Sequence, residues 1–235
     1  MEIKNKAIIV TGASQGIGLA AARLLSREGA KIVVSARSTE ALKQLEKELP
    51  ESLAVPADMR NAADIEALVR QTLERFGRID ILVNNAGQGM YGPVEQVDID
   101  QYRSIMELNV YGPLRAMQAV IPVMRHQGGG MIVNVSSRVS KNYFPGLAAY
   151  ASTKYALNAL SLTARAELAH DGIVISVLHP KMTATDFMKN ATGTRPTAGP
   201  KPNTNPSGAP SIDIPEAVAE KLAELIRSGV PEAEM

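Results

Sequence analysis

Six short apolar runs recur along the chain: Ala7-Ile8-Ile9-Val10, Ile32-Val33-Val34, Leu53-Ala54-Val55, Ile79 to Val83, Met131 to Val135 and Ile173 to Leu178. Continuous runs of this length suit strands buried on both faces. Between them the apolar positions switch to helical spacing. Leu19, Ala22 and Leu25 share one stripe, expected to face the sheet. Leu42, Leu45 and Leu49 share a second, with Ser38 as the expected N-cap. A helix from about Asn61 to Phe76 turns Ile65, Leu68, Val69, Leu73 and Phe76 inward. Asp98 with Gln101 reads as a capping box for one long helix to about Gln127, ended by Gly128-Gly129-Gly130. A further helix opens near Tyr150, and a last one spans Ile214 to Ser228. Strands alternating with helices predict an α/β fold, a doubly wound parallel sheet with helices on both faces and right-handed crossovers. No internal repeat is present, and residues 1–235 read as a single domain. Residues 191–210 hold five prolines and three glycines. They are expected to be a lid or a disordered loop over the active-site mouth.

In such sheets ligands bind at the carboxyl ends of the strands, and the unusual residues of this chain collect there. The first strand runs into Thr11-Gly12-Ala13-Ser14-Gln15-Gly16-Ile17-Gly18 and then a helix. A helix N-terminus offers free N–H groups and a positive dipole end to a phosphate. Gly12 permits the turn, Gly16 a close backbone approach, and Gly18 close helix–strand packing. The second strand ends at Arg37, nineteen residues past Gly18, with no acid between Lys31 and Thr39. An acid there would bind a ribose 2′-hydroxyl, whereas an arginine accommodates a 2′-phosphate. NADP(H) is therefore expected over NAD(H), unless Arg37 is a solvated loop arginine. Asp58, after the third strand, either accepts from an adenine amino group or caps the next helix. The fourth strand enters Asn84-Asn85-Ala86-Gly87, small enough to lie against a cofactor, with asparagine amides able to tie strand ends together.

The densest chemistry lies between Val135 and Lys154. Tyr150 and Lys154 are four residues apart, and on a helix they share a face. An ammonium beside a tyrosine is expected to lower a phenol pKa that is ordinarily about 10. Ser137, at the end of a strand, is within reach of the same site. Asn109 falls on a helix that packs on the sheet, where a buried amide needs partners. It is expected to hold a water or backbone group in a proton path, or to be structural.

Composition narrows the classes. The net charge is +1 with basic residues scattered, so no nucleic acid and no membrane surface is expected as a partner. The absence of cysteine rules out disulfides and thiolate catalysis and fits a reducing cytoplasm. His126, His170 and His179 lack metal-site spacing, and no metal is expected. The polar segment before the first strand is too short for a signal peptide.

Taken together, Thr11-Gly12-x-x-x-Gly16-x-Gly18, Asp58, Asn84-Asn85-Ala86-Gly87, Asn109, Ser137, Tyr150-x-x-x-Lys154 and the turn from Pro180 to Thr185 resemble the short-chain dehydrogenase/reductase family, in its compact single-domain branch. The match runs in order from about Glu2 to Asn190. The resemblance implies a Rossmann-like fold and nicotinamide-dependent oxidoreduction of a small-molecule carbonyl or alcohol substrate. It makes Tyr150 the general acid and Lys154 the group that lowers its pKa and holds the nicotinamide ribose. Ser137 would bind the substrate oxygen and Asn109 a relay water. Gly12, Ser14, Gln15, Gly16, Ile17, Gly18, Arg37, Asp58, Met59, Asn85, Ala86, Gly87, Pro180, Thr183 and Thr185 would line the cofactor. A homo-oligomer, dimer or tetramer, is implied.

Three departures stand out. Lys181 follows Pro180 where the family usually has glycine. Ser140 stands where the serine motif often has glycine. The family commonly adds a seventh strand where this chain has Val230 to Met235, which leaves that strand and an interface built on it open. Three alternatives are an NAD(H)-dependent dehydrogenase of the same fold, a catalytically silent nucleotide-binding or interaction protein, and an epimerase or dehydratase. The last usually needs a longer C-terminal substrate domain. The mixed pocket lining, with Met90, Tyr91, Phe144, Leu147 and Phe187, suits an apolar carbonyl.

Overall fold

The computed structural model describes residues 1–194 and 212–235. Its centre is a seven-stranded sheet in the order β3-β2-β1-β4-β6-β7-β9. The strands are β1 (Ala7–Thr11), β2 (Lys31–Ala36), β3 (Ser52–Pro56), β4 (Ile81–Asn84), β6 (Gly130–Val135), β7 (Ile173–His179) and β9 (Glu232–Glu234). All pairings are parallel, with Ile8 opposite Ile32 on one side and Ile81 on the other. The fold is Rossmann-like, and its strand order reverses between β1 and β4.

Period-two alternation sorts the strand residues into two cores. Ile8, Val10, Ile81, Val83, Met131 and Val133 face one layer, with α1 (Gly16–Arg27), α2 (Thr39–Glu48) and α7 (Pro215–Ser228). Ile9, Leu82, Ile132 and Ile175 face the other, with α3 (Ala62–Phe76), α5 (Gly112–His126) and part of α6 (Ala148–Glu167). Ala22 and Leu25 are fully buried as expected. Leu19 is half-buried: it packs against the same core and also lines a surface groove. Ser38 caps α2 through Ala41 N–H, and Asn61 caps α3 through Ala63 N–H. Asp58 is thus not the cap of α3.

One expectation about elements needs correction. The helix anticipated from Asp98 to Gln127 is α4 (Ile99–Met106), a π-helical turn at Glu107–Tyr111, and α5. Pro113 has no N–H to donate to the carbonyl of Asn109 and would crowd it in a regular helix. The wider turn accommodates this, and Gly112 N–H bonds five residues back to the Glu107 carbonyl. A Cβ on Gly112 would meet the Met59 carbonyl oxygen at 2.5 Å, so only glycine fits at that crossing. At the C-terminal edge the question left open by the sequence is answered. A seventh strand does form, but it is three residues long, with Glu232 opposite Val177 and Glu234 opposite His179.

A separate parallel ribbon pairs β5 (Met90–Tyr91) with β8 (Thr192–Gly193). It ties the loop after β4 to the loop after β7. The expected lid at 191–210 lies, beyond Thr194, outside the described residues. Among the described residues no helix is long and apolar enough to cross a membrane.

Candidate active site

The glycine-rich turn is shaped by close approach. Gly12 and Gly16 have φ of +66° and +57°, in the left-handed region. A Cβ on Gly12 would meet the Ala86 Cα at 2.9 Å, and one on Gly18 would collide with the Gly12 carbonyl. On Gly16 it would meet the Thr185 methyl at 3.0 Å. The turn therefore touches both the loop after β4 and the loop after β7. Thr11 locks the first contact: its hydroxyl accepts from the N–H groups of Asn85 and Ala86 at 3.0 and 3.1 Å. The Asn85 amide donates to the Thr11 carbonyl at 2.9 Å, and Asn84 donates to Asn134 Oδ1 at 2.9 Å. A groove of about 500 Å³ opens beside Gly16 and Thr185 and includes Gln15, Arg23 and Lys189 in its lining; Tyr150 is not part of its wall. The φ-positive, Cβ-excluding turn at the start of α1 is a cradle of the kind a dinucleotide pyrophosphate requires.

At the other end of the cradle, Arg37 is exposed and holds no hydrogen bond or ion pair among the described residues. Asp58 lies close enough for Arg37 to contribute to its low pKa. The main cause there is Arg60, which donates from Nε and Nη2, the shortest contact being 2.6 Å. Arg60 also reaches Ser104 Oγ at 3.3 Å. Met59 buries its side chain in the core, leaving its backbone for any contact with a cofactor. Ser14 and Ile17 are half-buried at the turn. Pro180 accepts from Arg138 N–H with its carbonyl, Thr183 bridges to Asp213, and Thr185 accepts from Phe187 N–H.

The sequence-selected catalytic residues meet at the carboxyl ends of β4, β6 and β7. Tyr150 is 5% exposed and Lys154 is 4% exposed. The Lys154 ammonium lies 5.9 Å from the centroid of the Tyr150 ring, and its hydrogen bond goes to the Val135 carbonyl at 2.9 Å. Burial pushes the Tyr150 phenol above its ordinary pKa, and the neighbouring Ser137 hydroxyl pulls the other way. Burial pushes Lys154 down to about 8. The expected lowering of the phenol by the ammonium is therefore not what this geometry gives. Desolvation outweighs the single hydrogen bond, and Tyr150 keeps its proton.

Asn109, on the π turn, is fully buried and fully engaged. It accepts from Gln88 N–H at 2.9 Å and donates to the Gln88 carbonyl at 2.8 Å and to Thr153 Oγ1 at 3.1 Å. Its side chain thus anchors the backbone after β4. A Cβ on Gly87 would fall 3.2 Å from Asn109 Oδ1 and 3.7 Å from Lys154 Nζ, so Gly87 keeps these two groups close to the loop. The apolar wall around Tyr150 is Met90, Ile105 and Ala149, with Val139, Tyr102 and Phe187 packed against them. The Phe187 ring is 5.7 Å from that of Tyr150, tilted by 54°.

Thr11, Arg60 and Thr153 carry site contacts that residue-by-residue reading did not assign. Thr11 and Thr153 had a signal, since each directly adjoins a selected residue. Arg60 had one too, beside Met59 and two residues from Asp58, but its contact with Ser104 forms only in the folded chain.

Residues 6–196 match the family model for short chain dehydrogenases, and the chain belongs to that family. An uncharacterised oxidoreductase of Methylorubrum extorquens is 38% identical over 79% of this chain and 76% of its own length. A glycine betaine reductase of Emericella nidulans is 32% identical over 96% of this chain, which spans only 18% of that longer protein. Among solved structures, an alcohol dehydrogenase from Thermococcus sibiricus complexed with 5-hydroxy-NADP superposes with a TM-score of 0.85. It is 29% identical, covering 99% of this chain and 96% of that one. A 3-ketoacyl-(acyl-carrier-protein) reductase from Brucella melitensis complexed with NADH gives 0.87 at 26% identity, covering 99% and 98%. The chain is an oxidoreductase of a family that binds nicotinamide cofactors.

Proposed function

We propose that the protein interconverts a small or medium apolar carbonyl compound and its alcohol with NADP(H), using Tyr150 as the general acid and base. The observation that carries this reading is the buried Tyr150 with Ser137 at its phenol and the Lys154 ammonium 5.9 Å from its ring centre. The bound cofactor would supply or accept the hydride. Gly12, Ser14, Gln15, Gly16, Ile17 and Gly18 would hold its pyrophosphate. Asp58 and the Met59 backbone would hold the adenine, Asn85, Ala86 and Gly87 the middle of the molecule, and Pro180, Thr183 and Thr185 the carboxamide. Lys154 would hold the nicotinamide ribose; Asn109, whose side chain is taken up by Gln88 and Thr153, would reach the relay water that the resemblance implies through its backbone.

In reduction, the substrate oxygen accepts hydrogen bonds from Ser137 and Tyr150. As negative charge builds on that oxygen, Tyr150 transfers its phenolic proton to it, and the Lys154 ammonium stabilises the phenolate left behind. The phenol is protonated at neutral pH, as this direction requires, but burial makes it a weaker acid, and the Lys154 ammonium must offset that as the phenolate forms. The apolar wall of Met90, Val139 and Phe187 favours an apolar or aromatic substrate.

Arg37 supports NADP(H). Unlike Arg60, it is not committed to a carboxylate, and so is free for a 2′-phosphate. The relatives include complexes with both cofactor types, so the residue rather than the fold makes the choice. We further place the protein in the cytoplasm as a homo-oligomer, dimer or tetramer, paired through α4–α5 and α6.

The test is calorimetric titration with NADPH and with NADH, followed by NADPH oxidation over a panel of aldehydes and ketones. Tighter NADPH binding and turnover of apolar carbonyls are expected. Equal or reversed affinities would reassign the cofactor to NAD(H). Binding without turnover would favour a silent nucleotide-binding protein.

A further inference from the structure

Ser140 is buried, and its hydroxyl donates to the Ser137 carbonyl at 2.6 Å. A hydroxyl has one hydrogen, so every other neighbour of Ser140 Oγ must donate to it or merely touch it. Asn158 Nδ2 donates at 2.9 Å. Ser136 Oγ lies at 3.3 Å and His179 Nδ1 at 3.4 Å. His179 is fully buried at the end of β7, and its Nε2 is 2.8 Å from Glu232 Oε1 on β9. Glu232 also accepts from Lys141 at 2.7 Å, in the same loop as Ser137. Lys141 is the main cause that holds its carboxyl below the usual range, with His179 adding to it. A carboxylate can only accept, so the hydrogen between them sits on His179 Nε2. That leaves Nδ1 an acceptor, and Ser140 has already given its hydrogen to Ser137, so His179 packs against Ser140 and the polar link from Glu232 to the loop runs through Lys141. A second pair, Arg138 with Glu234 at 3.8 Å, runs beside the first.

We propose that Ser140 and Glu232 are positioning residues for Ser137, with His179 packed between them: Glu232 ties the catalytic loop to the edge strand through Lys141, Ser140 holds the Ser137 carbonyl, and together they fix the serine hydroxyl against the Tyr150 phenol. This rests on the reading of Ser137 as the group that binds the substrate oxygen. Apart from its contact with the Tyr150 phenol, the Ser137 hydroxyl accepts a long bond, 3.3 Å, from Val139 N–H. A glycine at 140 would keep its own N–H on the Ser137 carbonyl, at 3.0 Å, but lose the shorter bond from the hydroxyl. The serine in its place gives the loop a side-chain anchor. The three residues of β9 thereby contribute to the site without touching it.

The experiment uses the full chain labelled with [¹³Cζ]tyrosine, with the Tyr150 resonance assigned by its loss in Tyr150→Phe. Ser137→Ala gives the resonance position for a phenol without its serine partner. Ser140→Gly and Glu232→Leu are expected to move the Tyr150 resonance in that same direction. They should also lower kcat for carbonyl reduction by about 10- to 100-fold, with NADPH affinity changed less than about twofold. Glu232→Gln still accepts from His179 and should return the resonance to its original place. A purely structural role would alter melting but leave the resonance fixed. A Tyr150 resonance that stays put in both Ser140→Gly and Glu232→Leu, in folded proteins, overturns the inference. If the unaltered protein reduces no carbonyl compound and the resonance still moves, the positioning chain stands and the functional reading falls.

Discussion

Two buried charges lie at opposite ends of the same sheet, and they are treated in opposite ways. Asp80, just before β4, is 3% exposed. Burial alone would raise its pKa, but Arg78, the Ala7 N–H and Lys6 hold it below the usual carboxylate range. Arg78 donates twice, at 2.8 and 2.7 Å, and Ala7 N–H at 2.9 Å. Lys154, at the carboxyl end, is equally buried, yet its one hydrogen bond is to a neutral carbonyl, and its pKa falls to about 8. The compensated charge fastens the first residue of β1 to the segment entering β4. The uncompensated one is left available to a ligand. Strain at a site and satisfaction elsewhere is how a stable scaffold carries a reactive end.

The sharpest break of this contrast is Tyr150→Phe. It removes only the proton donor and should lower kcat about 10²- to 10⁴-fold, with NADPH affinity kept, as steady-state kinetics and calorimetry will show. Lys154→Met comes next and acts in two directions. It should lower turnover strongly and yet raise thermal stability. The shift from 10.5 to about 8 corresponds to about 3 kcal/mol at neutral pH. Below about pH 8 both the folded and unfolded chains hold the Lys154 proton, so the penalty is at its full size. Between about 8 and 10.5 the unfolded chain binds more protons, and native stability rises with pH. Comparative melting of the variant and the unaltered protein should therefore show a gain that shrinks across that window. Turnover in the reductive direction should fall over the same range, as the ammonium is lost.

Asp80→Asn tests the other end. It leaves Arg78 and Lys6 without their shared partner and should cost about 3 kcal/mol in urea unfolding, with cofactor affinity unchanged. Here acid is the damaging direction: Asp80 has a lowered folded pKa, so its contribution disappears as pH falls through that value. The smallest effect is at Arg37, outside both buried sites. Arg37→Glu should weaken NADPH binding about tenfold or more, about 1.4 kcal/mol, and strengthen NADH. Unchanged selectivity would remove Arg37 from the cofactor site.

The same contrast explains what could be read from the chain. Gly12, Gly16 and Gly18 were legible because a tight strand-to-helix turn restricts residue choice locally, and Tyr150 and Lys154 because helical spacing alone puts them on one face. The six long strands announced themselves as apolar runs. β9 did not, since Glu-Ala-Glu has no apolar run to mark it and is a strand only through its pairing with β7. The π turn had a signal in Pro113, but its meaning depended on Asn109 lying four residues earlier. The direction of the Tyr150 shift was not readable, because spacing gives proximity to a cation and says nothing about how completely water is excluded.

The π turn has a consequence of its own. Relative to a regular helix it holds one extra residue, worth about 100° of rotation. α4 and α5 are therefore out of phase, and each still turns its own apolar face inward, with Ile105 beside Tyr150 and Met117 under the sheet. Removing one residue from Glu107–Tyr111 would press the Pro113 ring against the carbonyl four residues before it and turn Asn109 and Ile105 out of their places together. A replacement at the exposed Tyr111 does neither, so the segment tolerates a changed letter at its surface far better than a missing one.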